Sequence, residues 1–119
     1  MKLHYRVAEK SGMLGGRSFV ASLRVELDTG EQAVRSNYGV YARFDLPEKF
    51  QGKKGVDITG MMDMETLLGR GVEAKFPSIQ MATDFVDYIA EGLKSVKSQI
   101  ELTKLAAANL NRDVTIEIG

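Results

Sequence analysis

Leu3, Tyr5 and Val7 alternate with His4 and Arg6, a period of two that predicts a half-buried β-strand at the start of the chain. The glycine-rich connection Ser11-Gly12-Met13-Leu14-Gly15-Gly16 leads to a cleaner run. There Phe19, Ala21, Leu23, Val25 and Leu27 point one way, and Ser18, Ser22, Arg24, Glu26 and Asp28 the other. Two such segments joined by a glycine-rich loop longer than the minimal turn predict an antiparallel hairpin. Thr29-Gly30-Glu31-Gln32 fits a capping box, which opens a short helix at Thr29 that runs to about Tyr38 and stops at Gly39. Val40, Ala42, Phe44 and Leu46 alternate again, predicting a third strand up to Pro47, followed by an exposed loop over 48–55 and a short strand at Val56–Thr59. Asp63 caps a second short helix through Leu68. Gly69-Arg70-Gly71 breaks it, and Val72, Ala74 and Phe76 form a strand ending at Pro77.

The pattern then changes period. After Ser78 as N-cap, Ile79, Ala82, Val86, Ile89, Leu93, Val96, Ile100, Thr103, Ala107 and Leu110 recur at alternating spacings of three and four. That is a seam of period 3.5, widened by Phe85, Tyr88, Leu102 and Leu105. Asp84, Asp87 and Glu91 lie early and Lys94, Lys97 and Lys104 late, the order that complements a helix dipole. Asn109 or Asn111 ends the helix, and Val114, Ile116 and Ile118 alternate with Asp113, Thr115 and Glu117 as a last strand.

The sum is one α+β domain over residues 1–119: mainly β with two short helices over 1–77, a long helix over 78–110 and a terminal strand over 113–118. The expected architecture is a curled antiparallel sheet of five or six strands, with the long helix across one face and the short helices at its edges.

Helix length carries a consequence. About 32 residues at 1.5 Å each make a rod of about 48 Å, whereas a compact globule of this size is about 35 Å across. The helix therefore bends, most readily at Gly92, or ends early near Asn109, or buries its far part against a second copy. The last alternative places an oligomer interface, with a dimer favoured, on Val96, Ile100, Thr103, Ala107 and Leu110.

Composition narrows the chemistry. Sixteen basic and sixteen acidic residues cancel, which disfavours nucleic acid or an anionic membrane as partner. The halves differ, with ten Lys/Arg against seven Asp/Glu in residues 1–60 and six against nine in 61–119. Absence of cysteine removes disulfides, thiol nucleophiles and Cys-based zinc sites, and favours a reducing, cytoplasmic setting. Met1-Lys2-Leu3-His4-Tyr5-Arg6 lacks the apolar core of a signal peptide, and no apolar run is long enough to span a membrane.

With His4 as the only histidine, on the outward side of a strand, a Ser-His-Asp or His-metal site has little to build on. The loop around Gly12, Gly15 and Gly16 with Arg17 resembles a phosphate cradle only superficially, because it joins two strands and lacks a Gly-Lys-Ser/Thr ending. Asp84, Asp87 and Glu91 supply carboxylates for a hydrolase using a divalent metal, though any helix start favours the same residues. Lys49, Phe50, Lys53 and Lys54, with Arg35, Tyr38, Tyr41 and Arg43, interleave cations and aromatics as a single strand or nucleotide base would require. Met61, Met62 and Met64 form an adaptable apolar cluster. The expected function is accordingly a non-catalytic, homo-oligomeric binding or interaction module with no cofactor and no metal. The alternatives are a small-anion or nucleotide binder, with a pocket at the oligomer interface drawing on Arg17, Lys53, Lys54 and Arg70, and the metal-dependent hydrolase.

Overall fold

The structure, a computed structural model, describes residues 1–12, 16–59 and 62–119. Met13, Leu14 and Gly15 of the glycine-rich loop, and Met61 of the methionine cluster, lie outside the described residues. Strands β1 (Lys2–Ser11) and β2 (Arg17–Glu26) form the expected hairpin, paired from Lys2 opposite Glu26 to Ser11 opposite Arg17. Helix α1 (Thr29–Tyr38), strand β3 (Asp57–Thr59), helix α2 (Met64–Leu68), strand β4 (Val72–Phe76) and helix α3 (Ile79–Ala108) follow. The sheet is open and antiparallel throughout, in the order β1-β2-β4-β3. β4 alternates strictly and β2 does so from Ala21 onward, with Ala21, Leu23, Val25, Val72, Ala74 and Phe76 buried and their polar neighbours exposed, while Val20 is buried on the opposite face. α2 and α3 pack on that apolar face and α1 packs against α3, while no helix covers the other face.

α3 seals the core. Ala82, Val86, Ile89, Leu93, Val96 and Ile100 of the predicted seam are buried, joined by Phe85. Phe76, Phe85 and Phe50 form an aromatic cluster with ring centroids 5.2–5.8 Å apart, within the range of favourable edge and tilted contacts. Phe50 comes from a 3-10 turn, Glu48–Phe50, inside the stretch expected to be an exposed loop; it is the anchor that stretch contributes. Tyr88 of α3 donates its hydroxyl to the carbonyl of Asp45, and burial together with the Asp45 carboxylate raises its pKa.

Among the described residues four strands are present where five or six were expected, and the two that fail do so for lack of a partner. Val40–Leu46 alternates because Ala42 and Phe44 reach the core, yet its backbone-to-backbone bonds among the described residues go to the start of α2 and the residue two before it, Phe44 N–H to Met62 O at 2.7 Å and Met64 N–H to Ala42 O at 3.0 Å. The single bridge Arg43–Asp63 is all the pairing it makes. Residues 113–118 are exposed and take no strand pairing among the described residues, and a strand without an edge to bond to is not stable in water. The cap of α1 also moves by one residue. Asp28, not Thr29, accepts the Glu31 N–H at 2.7 Å, while the Glu31 side chain accepts the Asp28 N–H at 3.0 Å. Asp63 and Ser78 cap α2 and α3 as the sequence predicts, and Asn109 is the C-cap of α3.

Gly92 does not interrupt α3. It is where the Phe44 ring lies against the helix, and a Cβ built there would fall 2.5 Å from Cδ1 of Phe44 and closer still to Cε1. Glu31 is the one buried charged side chain among the described residues, 4 % exposed. It pairs with the Met1 ammonium at 2.6 Å and with Lys97 Nζ of α3 at 3.3 Å. Burial pushes its pKa up. The hydrogen bonds from the ammonium, the Asp28 N–H and Lys97 outweigh that and hold it at about 2.

Two outcomes follow. Gly92→Ala gains about 1 kcal/mol of helix propensity but forces the buried Phe44 ring aside, so urea denaturation should show a net loss of about 1–3 kcal/mol. Because the Glu31 carboxylate is held below its ordinary value of 4.5, it stabilises the fold above that pH and loses the contribution as pH falls toward 2. Glu31→Gln should therefore cost about 2–3 kcal/mol at pH 7, and clearly less at pH 3, in the same assay.

Candidate functional site

Two surfaces remain for function: the bare face of the sheet, and the end of α3 with the chain that follows. On the bare face, strand parity gathers Lys2, His4, Arg6 and Lys10 of β1, Ser18, Ser22, Arg24 and Glu26 of β2, Glu73 and Lys75 of β4, and Asp57 and Thr59 of β3. Arg70 joins them from the turn before β4. Gly71, in the left-handed region at φ 86°, brings that turn so close to β2 that a Cβ would lie 2.5 Å from the Leu23 carbonyl oxygen. A hollow of about 270 Å³ lies there, lined by Ser22, Thr59, Arg70, Gly71, Val72 and Glu73. It is smaller than the roughly 300–1,000 Å³ usual for small-molecule sites. A second hollow, adjoining it through Ser22 and Arg70, is lined also by His4, Arg6 and Arg24. Bases outnumber acids on this face. His4 Nε2 lies 3.1 Å from a Glu26 carboxylate oxygen; that hydrogen bond, with Lys2 nearby, lowers the Glu26 pKa.

The four predicted anion-binding residues do not converge. Arg17 has the parity of Phe19, stands on the helix side of the hairpin end and pairs with Glu9 at 3.2 Å. Arg70 is about six residues of strand away, about 20 Å, and on the opposite face. Lys53 and Lys54 sit in the exposed turn before β3. Arg6 and Arg24, beside Arg70, are the cations sequence reasoning passed over; their shared parity with Ser22 was the signal that could have found them.

The other candidate groups are dispersed or engaged. Asp84 accepts from Gln80 at 2.9 Å and Glu91 from Lys94 at 2.7 Å. Among the described residues no group of three or more His, Asp or Glu side chains is placed to hold a metal ion. Phe50 is core, Arg35 is bound to Glu65, and Tyr38 and Tyr41 are exposed. Met62 and Met64 are core residues. No helix of the described residues is long and apolar enough to cross a membrane.

At the far end of α3 the predicted interface divides. Val96 and Ile100 lie in the chain's own core, 3 % and 1 % exposed; Thr103 and Ala107 are half-buried, and Leu110 is exposed. Past Ile100, eight residues of helix, about 12 Å, have no buried apolar side chain among them. The molecule is correspondingly long, 68 × 31 × 17 Å, with a radius of gyration of 18.4 Å against about 13.5 Å for a compact chain of this length. Over the body, the outer side of α3 is polar, with Glu91, Lys94, Ser95 and Ser98. Beyond the body it turns apolar. Leu102 and Leu105, about two-thirds exposed, lie roughly 140–200° around the helix from Ile100, and Leu110, Val114, Ile116 and Ile118, which follow in the sequence, are exposed as well. Comparison with family models, with curated proteins and with solved structures returns no match to this chain.

Proposed function

We propose that this protein is a non-catalytic interaction module that works as a homo-oligomer, its copies meeting over the distal end of α3. The observation that carries this is the run Leu102, Leu105, Leu110, Val114, Ile116 and Ile118. These side chains are 56–93 % exposed, and they are apolar where the same side of α3 over the body is polar. Large exposed apolar side chains gathered toward one end of a folded chain favour a contact with another molecule. The opposite excess charges of the two halves favour a second copy as that molecule.

Sedimentation equilibrium tests it: the wild type should be dimeric or larger at micromolar concentration. Leu102→Lys with Leu105→Lys should shift it to monomer while changing thermal stability of the monomer by no more than about 0.5 kcal/mol, because neither side chain is buried in one copy. A monomeric wild type would remove the reading.

The second reading is a small-anion binder on the bare sheet face, favoured by one observation, the shared hollow of Arg6, Arg24 and Arg70. Phosphate or a nucleotide should then raise the melting temperature, and Arg70→Ala should abolish that rise without altering the unliganded value. A flat response across a nucleotide panel excludes it.

A further inference from the structure

The outer edge of β1 is the longest unpaired backbone edge of the sheet, ten residues bonded on one side only to β2. Its two faces differ. On the helix side it carries Leu3, Tyr5 and Val7, and Tyr5 is 60 % exposed although it lies opposite the buried Leu23. On the bare side it carries Lys2, His4, Arg6 and Lys10. Residues 113–118 have the complementary pattern, with Val114, Ile116 and Ile118 alternating with Asp113, Thr115 and Glu117, all exposed.

We propose that residues 113–118 of one copy add as a strand to the β1 edge of a second copy, extending its four-stranded sheet to five; this rests on the homo-oligomer reading above. Because side chains alternate with period two, a slip of one residue would put every apolar side chain on the wrong face, so register is testable from sequence. Antiparallel, a single register satisfies all positions: Asp113 faces Arg6, Val114 faces Tyr5, Ile116 faces Leu3, Glu117 faces Lys2 and Ile118 faces Met1. Parallel, again one register does so, with Asp113 at Lys2, Ile116 at Tyr5, Glu117 at Arg6 and Ile118 at Val7. In both senses the two acids meet the same two bases, and Tyr5 gains an apolar neighbour. Opposite charges and apolar pairs directly across a ladder are the units that stabilise strand addition.

A second copy is the occupant because the chain's own edge is out of reach. Met1 and Leu3 share a hollow with Ala90, Leu93, Lys94 and Lys97 of α3. Ala108 lies eleven helical residues past Lys97, about 16 Å along the axis, before the separation of helix from sheet is added. The five steps from Ala108 to Asp113 span at most about 18 Å. Closing onto the same copy would require unwinding the end of α3.

Charge reversal in mixtures tests the exchange. Asp113→Lys with Glu117→Lys in one protein, and Lys2→Glu with Arg6→Glu in another, should each weaken self-association at least tenfold by sedimentation. Mixing the two should restore a heterodimer, since both of its strand contacts are then complementary. All four positions are exposed, so both proteins should keep the wild-type circular dichroism. Self-association unchanged by the reversals but lost on Leu102→Lys with Leu105→Lys overturns strand exchange and leaves the oligomer standing, whereas a monomeric wild type overturns both. The absence of native cysteine permits a register check. Oxidising Glu117→Cys mixed with Lys2→Cys should give a crosslinked heterodimer if the strands are antiparallel, and with Arg6→Cys if they are parallel. Crosslinking to neither, or equally to Lys10→Cys, overturns the exchange.

Discussion

The contact on which the rest of the structure depends is α3 lying across the apolar face of the sheet, fixed at its early turns by the ring of Phe85 between Phe76 of β4 and Phe50 of the 3-10 turn. Once that contact forms, the remaining pieces have somewhere to go. Phe50 ties down a chain segment that has no strand partner of its own. Tyr88, one turn on, holds the Asp45 carbonyl, and Gly92, a further turn on, receives the Phe44 ring. Lys97 then reaches the buried Glu31, which draws α1 and the Met1 ammonium onto the same helix. A chain with 119 residues, no disulfide and a four-stranded open sheet needs such a spine, because the sheet alone buries only one face.

The same contact sets a limit on what α3 can bury. Its buried residues run from Ala82 to Ile100, about 27 Å of helix, while the whole helix from Ile79 to Ala108 is about 45 Å long. The difference is fixed by the size of the sheet, not by the helix sequence. Ile79, at the other end, overhangs as well and is exposed despite standing in the seam. A heptad seam longer than the surface beneath it therefore divides into a core part and an overhang. In the overhang the body-facing positions shrink to Thr103 and Ala107 while the outward ones become leucine.

Period was a reliable guide wherever one face of an element meets the core. It placed β1, β2, β4 and α3 close to their observed positions, and the capping residues Asp63 and Ser78 with the glycines after Leu68 placed the start of α3 and both ends of α2. It misled where alternation had another cause. Ala42 and Phe44 alternate because both plug gaps beside α2 and α3, and their backbone is bonded to Met62 and Met64, a pairing that no local pattern encodes. The cap of α1 was misplaced because Asp28 and Thr29 both suit an N-cap, and only the reciprocal bond with Glu31 separates them. Of the candidate anion site only Arg70 stands on the basic sheet face; the sign of a side chain and a glycine beside it say nothing about which side of the hairpin it occupies. Parity does say so, and it separates Arg17 from Arg24.

The distribution of charge on β1 bears on why its open edge is tolerable at all. An unpaired ten-residue edge with Leu3, Tyr5 and Val7 beside it invites pairing with the same edge of another molecule, the usual route to aggregation. Lys2, Arg6 and Lys10 oppose this, since two β1 edges brought together antiparallel in phase would set cation against cation on the bare face. That repulsion is selective. It rejects a basic strand and leaves the backbone edge open to an acidic one of matching phase, and the chain carries such a segment in Asp113–Ile118. The last residue of α3, Ala108, stands about 16 Å along the helix axis past Lys97, the residue that shares a hollow with Met1 and Leu3 at the start of β1. One helix thus closes the core over the sheet and, past Ile100, runs on beyond it.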